Sequence, residues 1–115
     1  MTISRTPDAN DHDQRGAAAD AAFRRFLRTG DPTAIADLFD LAAASLHRTA
    51  LHLVGDDATA HDLVQITFLA ALQQRTFNEG RPVLPWLGGI LRNQAALVHR
   101  RRARGRPRSA VGRAE

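Results

Sequence analysis

The side chains with catalytic or metal-binding chemistry are few and widely spaced in this sequence. The 115 residues include five histidines and no cysteine, which excludes thiolate catalysis, thiolate metal sites and disulfides. His47 and His52 lie five positions apart, which on one helix points them about 140° away from each other. His61 and Asp62 are adjacent and face different ways, and no HExxH pattern, glycine-rich phosphate loop or nucleophile elbow occurs. The pattern predicts no catalytic residue, no metal site and no cofactor, and therefore a protein that is not an enzyme.

Arginine supplies the remaining chemistry, and it is concentrated at one end of the chain. The sixteen basic residues are all arginines, and the formal net charge is +4. Residues 92–115 hold eight arginines against Glu115 alone, whereas residues 1–20 carry a net charge of −2. A basic segment of this density typically binds a polyanion such as nucleic acid, the alternative being a solvated tail. A further hypothesis is that the acidic start of the chain masks the basic end in the free protein.

A third feature is a helical segment, residues 58–74, that is apolar on two sides and is capped by Asp56 or Asp57. One side is predicted to be buried and consists of Ala60, Val64, Thr67, Phe68 and Ala71. The opposite side mixes an acid and two amides with two aliphatic residues, namely Asp62, Gln65, Ile66, Leu69 and Gln73. Because the solvent side of a surface helix is normally charged, this second side indicates either a protein-docking patch or a face covered by a fourth element.

The periodicity of apolar residues places these features on helices and predicts an all-α fold, a compact bundle of three main helices plus a short N-terminal helix. The short helix is expected over residues 17–28, and a second helix of about 22 residues follows it. Asp31 and Pro32 supply the N-cap and first position of this second helix, and Gly55 ends it. Its apolar positions recur at steps of three and four residues: Ile35, Leu38, Phe39, Ala42, Leu46, Ala50 and Leu53.

The last helix is predicted to follow a loop over residues 75–84 and to begin near Trp86, with Pro85 in its first turn. Its expected core face consists of Trp86, Leu87, Ile90, Leu91, Leu97 and Val98. Gly88 and Gly89 inside this helix each cost roughly 1 kcal/mol relative to alanine. Such a cost is usually tolerated where a backbone or a ligand must approach closely.

The length of the chain suits a single domain. We place the helical domain at residues 16–104, between a disordered acidic tail at residues 1–15 and a basic linker or tail at residues 105–115. No apolar run reaches the ~18 residues that a membrane span requires, and the N-terminus lacks the pattern of a secretory signal. A cytoplasmic location is therefore expected.

Three sequence motifs follow one another in the order and spacing of a known family. They are the Gly-Asp opening of GDPTAIADLFDLAAASLHRTALHLVGD, the segment DLVQITFL, and the pattern Trp-Leu-x-x-Ile-x-Arg-Asn within PWLGGILRNQAALVHRRRAR. With these motifs the sequence resembles region 2 of bacterial RNA polymerase sigma factors, above all the extracytoplasmic-function (ECF) group. The resemblance covers residues 29–104. Each motif alone is weak, but the three together are specific.

The resemblance implies a partner for each feature described above. In that family the Asp-Leu-Val-Gln helix binds core RNA polymerase, which implies polymerase binding by Asp62, Gln65, Ile66 and Leu69. The loop before the last helix, residues 76–84, lies where the family captures a flipped-out base of the promoter −10 element. The last helix lies where the family contacts single-stranded promoter DNA. The implied DNA-binding residues are Arg81, Arg92, Asn93, His99, Arg100, Arg101 and Arg102.

Three residues of the last helix have structural alternatives to DNA contact. Trp86 follows Pro85 on an apolar face, so we expect it to belong to the core. For Asn93 the alternative is a hydrogen bond to the preceding loop. For Arg92 the alternative is a salt bridge to another helix, because Gly88 and Ala96 offer no partner along its own helix.

The sequence also departs from the family. His61 and Ile66 stand where acidic residues are usual, and Gly88 and Gly89 stand where larger, often basic, side chains are usual. The sequence ends before region 4, the second helical domain of ECF sigma factors. Residues 104–115 look like the start of a linker to it, so we expect an excised domain of a longer protein, the alternative being a natural chain with region 2 alone.

Two other functions fit the same features. One is a protein-interaction module of the same fold that binds an anti-sigma factor or another regulator without productive promoter binding. The other is a nonspecific nucleic-acid binder that acts through its basic tail. A tail-only binder should lose all binding when residues 100–115 are deleted, whereas a sigma domain should keep its polymerase binding.

Overall fold

The computed structural model describes residues 9–73 and 80–105, with side chains from residue 14 onward. These residues form four α-helices, α1 (Ala9–Thr29), α2 (Pro32–Val54), α3 (Asp57–Gln73) and α4 (Val83–Gly105). α2 and α4 pack against each other and against both other helices, whereas α1 and α3 are not in contact within the described ranges. The predicted all-α fold is confirmed. In this part of the chain no helix combines the length and hydropathy that a membrane span requires.

Local signals set the ends of α2, as predicted. The Asp31 carboxylate accepts a hydrogen bond from the backbone N–H of Thr33 at 2.9 Å, and Pro32 occupies the first turn. Gly55 ends the helix with a φ of 85°, a left-handed conformation that favours glycine because a Cβ would be strained there. Asp56 follows at once as the cap of α3.

The core draws buried residues from all four helices, the largest being Phe23, Leu38, Leu63, Leu87 and Leu91. α2 buries one residue in four, alternating small with large along most of its length: Ala34, Leu38, Ala42, Leu46, Ala50 and Val54. This alternation lets side chains from the neighbouring helices fit between its leucines. α4 buries a similar stripe, Val83, Leu87, Leu91 and Ala95. The ring of Trp86 then packs on Phe23 from α1, with ring centroids 5.5 Å apart.

The start of α1 differs from the prediction. The helix begins at Ala9 rather than near residue 17 and is 21 residues long. Describing it as short was therefore wrong, and so was assigning residues 9–15 to a disordered tail. No proline separates Ala9 from the alanine-rich stretch at residues 17–22, and a helix that has formed on strong helix formers extends at little cost.

The start of α4 also lies earlier than predicted, because α1 caps it. The backbone N–H of Val83 donates to the Asp20 carboxylate at 2.7 Å, and a negative charge at a helix N-terminus is favourable. The residues of this pair are 63 positions apart, so no local pattern reveals it. The buried stripe starts at Val83 as a result, and four residues of the predicted core face are only half-buried, namely Trp86, Ile90, Leu97 and Val98.

Candidate functional site

The outward side of α3 exposes aliphatic side chains that no described element covers. Leu69 is 58% exposed and Ile66 is 39% exposed, and Asp62 and Gln65 are exposed beside them. The opposite side is buried as predicted, with Leu63 added to it. The alternative of a covering fourth element is therefore wrong for the part of the chain that the structure describes. We name Asp62, Gln65, Ile66 and Leu69 the α3 face.

The α3 face combines aliphatic side chains at its centre with a carboxylate that has no described partner. Asp62, Ile66 and Leu69 follow one another at intervals of four and three residues, so they form a single stripe along the helix. Among the described residues the Asp62 carboxylate has no hydrogen bond or ion pair. A stripe of this composition suits a partner protein that brings aliphatic surface and a cation.

A groove of about 300 Å³ between α2 and α3 borders the α3 face at Gln65. Its lining residues are Phe39, Ala43, Ala44, His47, His61, Val64 and Gln65. Phe39 was predicted to face the core but is 40% exposed, and its ring packs edgewise on Phe68 with ring centroids 4.9 Å apart. The groove thus extends the apolar surface of the α3 face onto α2.

Three ionisable residues beside this groove form a cluster that the sequence analysis missed. His47 Nε2 lies 3.0 Å from Asp57 Oδ1, and His61 Nε2 lies 3.5 Å from Asp57 Oδ2. Asp57 and His61 are four residues apart on α3, a spacing that the sequence displays. His47 joins them from α2, and only the packing of the two helices brings it there.

The outward side of α4 combines cations with a concavity. Arg81, Pro85, Trp86, Gly89, Ile90 and Asn93 line this concavity, which has a volume of about 410 Å³. Asn93, Arg100 and Arg104 follow at intervals of seven and four residues, so they share one side of the helix, and all three are exposed. We name Arg81, Trp86, Asn93, Arg100 and Arg104 the α4 face. Trp86 belongs to it while it also packs on the core, as predicted.

Two further predicted DNA-binding arginines flank this face. Arg92 and Arg101 are exposed on either side of it. The predicted salt bridge from Arg92 to another helix is not found among the described residues. Its guanidinium instead lies over Gly88, with Nη1 3.5 Å from where a Cβ on that glycine would be. Residues 75–79 of the loop to which Asn93 was predicted to bond lie outside the described residues, and so do residues 76–79 of the predicted base-capture loop.

Arg102 has a different environment from its neighbours, at the junction of α2 and α3. Its Nη1 donates to the carbonyl of Val54 at 3.2 Å, and its Nη2 donates to Asp56 Oδ1 at 2.8 Å and to the Thr59 hydroxyl at 3.0 Å. The backbone N–H and hydroxyl of Thr59, followed by Arg102, lower the pKa of Asp56 to about 2. The arginine therefore binds the last turn of α2 and the cap of α3 together.

His99 contributes to the same junction. Its Nε2–H donates to the carbonyl of Leu53 at 3.0 Å, because a carbonyl can only accept. His99 and Arg102 thus satisfy consecutive carbonyls at the end of α2. We name His99 and Arg102 the α4 clasp. These two predicted DNA-binding residues therefore lie outside the α4 face, and their hydrogen-bond donors bind other residues of the chain.

Comparison with known proteins decides the family. The sigma-70 region 2 family matches residues 38–105, more than half of the chain, and the match includes the whole α3 face and all of α4. The chain belongs to the sigma-70 region 2 family. The family match and the ECF sigma factors among its relatives confirm the predicted resemblance to region 2 of the ECF group.

Two relatives illustrate the extent of this similarity. The ECF RNA polymerase sigma factor SigL of Mycobacterium tuberculosis is 39% identical over 98 residues, which is 84% of this chain and 48% of the relative. The RNA polymerase sigma factor CarQ of Myxococcus xanthus is 36% identical over 78 residues, which is 65% of this chain and 45% of the relative. The chain thus spans about half the length of the curated relatives it matches. No solved structure shows a significant match to it.

Proposed function

We propose that this region 2 domain binds core RNA polymerase through the α3 face and the melted promoter −10 element through the α4 face. It thereby directs transcription initiation and catalyses no reaction itself. The observation that carries the proposal is the uncovered aliphatic centre of the α3 face, where Leu69 is 58% exposed on a helix whose other side is buried.

The α3 face is suited to a stable protein contact. Burying a fully exposed leucine or isoleucine side chain is worth about 1.5–3 kcal/mol, and the partly exposed Leu69 and Ile66 each supply a part of that gain at the centre of the stripe. Asp62 at the end of the stripe is free to pair with a polymerase arginine or lysine, which fixes the orientation of the helix. The groove that contains Phe39 adds apolar surface next to Gln65.

The α4 face is suited to single-stranded DNA. Its concavity is lined by the indole of Trp86 and the amide of Asn93. An aromatic ring can stack on an unpaired base, and an amide can hydrogen-bond the edge of the base. Arg81 on one side and Arg100 on the other are placed to neutralise phosphates of the same strand. We exclude His99 and Arg102 from this surface because their donors already bind the end of α2.

Biolayer interferometry with purified core RNA polymerase tests the proposal. The variants Asp62→Arg and Leu69→Arg should each weaken binding by at least about tenfold, since a buried charge replaces a paired acid or an aliphatic anchor. Asp40→Arg and Leu27→Arg are matched controls, because Leu27 is exposed on α1, which does not contact α3, and Asp40 is exposed on the side of α2 next to α1. These controls should bind as the wild type does.

Two results would contradict the proposal. The first is equal binding by all five proteins, which would place the polymerase contact elsewhere. The second is the absence of binding by wild-type protein that circular dichroism shows to be folded. The second result would favour the protein-interaction module, and binding to an anti-sigma factor would then be the next measurement.

A further inference from the structure

The cluster of His47, Asp57 and His61 holds a donor set that metal ions prefer. It offers two imidazole nitrogens and a carboxylate oxygen, one from α2 and two from α3, and the three donor atoms lie within 4.8 Å of one another. Imidazole and carboxylate ligands suit Zn²⁺ and its first-row neighbours. A site with three protein ligands leaves a fourth position for water or for a group from a partner.

Two of the distances between donor groups are already close to those of a zinc site. In a tetrahedral zinc site with ligand bonds of about 2.0–2.1 Å, neighbouring donors are about 3.3 Å apart. His47 Nε2 and Asp57 Oδ1 are 3.0 Å apart, and His61 Nε2 lies 3.5 Å from the other carboxylate oxygen. The side chains of Asp57 and His61 are 69% and 65% exposed, so both are free to turn toward a common point. The side chain of His47 is only 26% exposed, so the residues around it restrict its movement.

The His47 ring nitrogen distinguishes this cluster from an ordinary surface ion pair. Its Nε2 is buried and has no hydrogen-bond partner, although Asp57 Oδ1 is only 3.0 Å away, because the two groups are not aligned for a hydrogen bond. A buried nitrogen without a partner is costly and rare. The ring of His61 lies against that of His47, with centroids 4.4 Å apart, which aims both imidazoles at the same carboxylate.

We propose that His47, Asp57 and His61 bind a divalent transition metal ion of the Zn²⁺ class. The ion joins α2 to α3 at the groove, one residue from Asp62 of the α3 face. It accepts the lone pair of the buried His47 nitrogen and replaces the misaligned contact with Asp57. This inference goes beyond the proposed function, because metal binding by the free domain requires neither polymerase nor DNA.

Isothermal titration of the untagged, chelator-treated domain with ZnCl₂ tests the inference. We expect saturable binding of one Zn²⁺ per chain and a higher melting temperature with zinc. His47→Gln and His61→Gln should each weaken binding by at least about tenfold. His52→Gln is the matched control, since His52 is exposed on the same helix as His47 and has no described partner, and it should bind like the wild type. Titration with CoCl₂ should give a visible absorption band that His61→Gln loses.

Two outcomes would overturn the inference. One is the absence of saturable zinc binding by the folded wild-type domain. The other is equal affinity in all four proteins, which would move the metal to other residues, such as His12. Because His61 is exposed, His61→Gln leaves the core intact and keeps the test decisive even if His47→Gln unfolds.

Discussion

Arg100 and Arg102 lie two positions apart on one helix, and the structure gives them different surroundings. Both are exposed arginines in the same basic run. Arg102 donates to Val54, Asp56 and Thr59 and fastens α4 to the junction of α2 and α3, whereas Arg100 has no partner among the described residues. Charge and exposure alone therefore do not identify a DNA-binding residue. We therefore assign DNA contact only to arginines that have no intrachain partner among the described residues, and this assignment is a proposal.

The acids of α3 repeat this contrast. Asp56 caps the helix and binds Arg102, while Asp62 two turns later has no described partner. One acid is used by the fold and the other is available to a partner protein. The aliphatic residues follow the same division, since Leu63 is buried and Leu69 is 58% exposed.

Replacing Arg102 gives the largest effect on the fold. Arg102→Ala removes three hydrogen bonds at the junction and leaves the carbonyl of Val54 at the end of α2 without its side-chain donor. We expect the melting temperature to fall by about 4–8 °C in a thermal scan followed by circular dichroism. Arg100→Ala is the control and should melt like the wild type. Equal melting temperatures of the two variants would show that the α4 clasp contributes no more to stability than the α4 face does.

Replacing Arg100 should affect DNA binding instead. Arg100→Ala removes one phosphate contact, so the slope of log K against log[salt] for a labelled single-stranded oligonucleotide should become shallower by about 0.7. Fluorescence anisotropy over a range of salt concentrations measures this slope. Arg102→Ala, studied below its melting transition, should keep the slope of the wild type. A shallower slope for Arg102→Ala together with an unchanged slope for Arg100→Ala would show that Arg102 of the α4 clasp contacts DNA.

The two glycines of α4 give the smallest and most selective effect. A Cβ at Gly89 meets nothing within 4 Å, and one at Gly88 meets only Arg92 at an ordinary distance of 3.5 Å. Gly88→Ala and Gly89→Ala should therefore each stabilise the helix by roughly 0.5–1 kcal/mol, measured by urea unfolding. Because Gly89 lines the concavity of the α4 face, only Gly89→Ala should also weaken binding of single-stranded DNA. Equal DNA affinities for the two variants would argue that bases do not enter the concavity.

Features set by neighbouring residues were predictable from the sequence. The N-cap at Asp31, the stop at Gly55 and the two sides of α3 each depend on residues within one or two turns of one another. The α3 face could be recognised because its apolar residues stand where solvent normally requires charge. Family motifs then linked this face to a partner.

Features set by contacts between helices were not predictable. Asp20 caps α4 from 63 residues away, which moved the start of that helix to Val83. Arg102 finds its partners more than 40 residues earlier in the chain, so the sequence grouped it with the DNA-binding arginines. The nitrogen of His47 meets Asp57 only because α2 and α3 pack together. The periodicity of apolar residues defines the faces of each helix, but it does not show which face of one helix packs against which face of another.

The central claim, that the α3 face docks on polymerase, is tested most directly by site-specific photocrosslinking. A benzophenone amino acid would replace Leu69 in one protein and Leu27 in another, the latter 39% exposed on α1 as a matched control. After irradiation with core RNA polymerase, the account predicts a crosslink from position 69 to one of the large polymerase subunits and none from position 27. A crosslink from position 27 alone, with polymerase binding intact in both proteins, would contradict it.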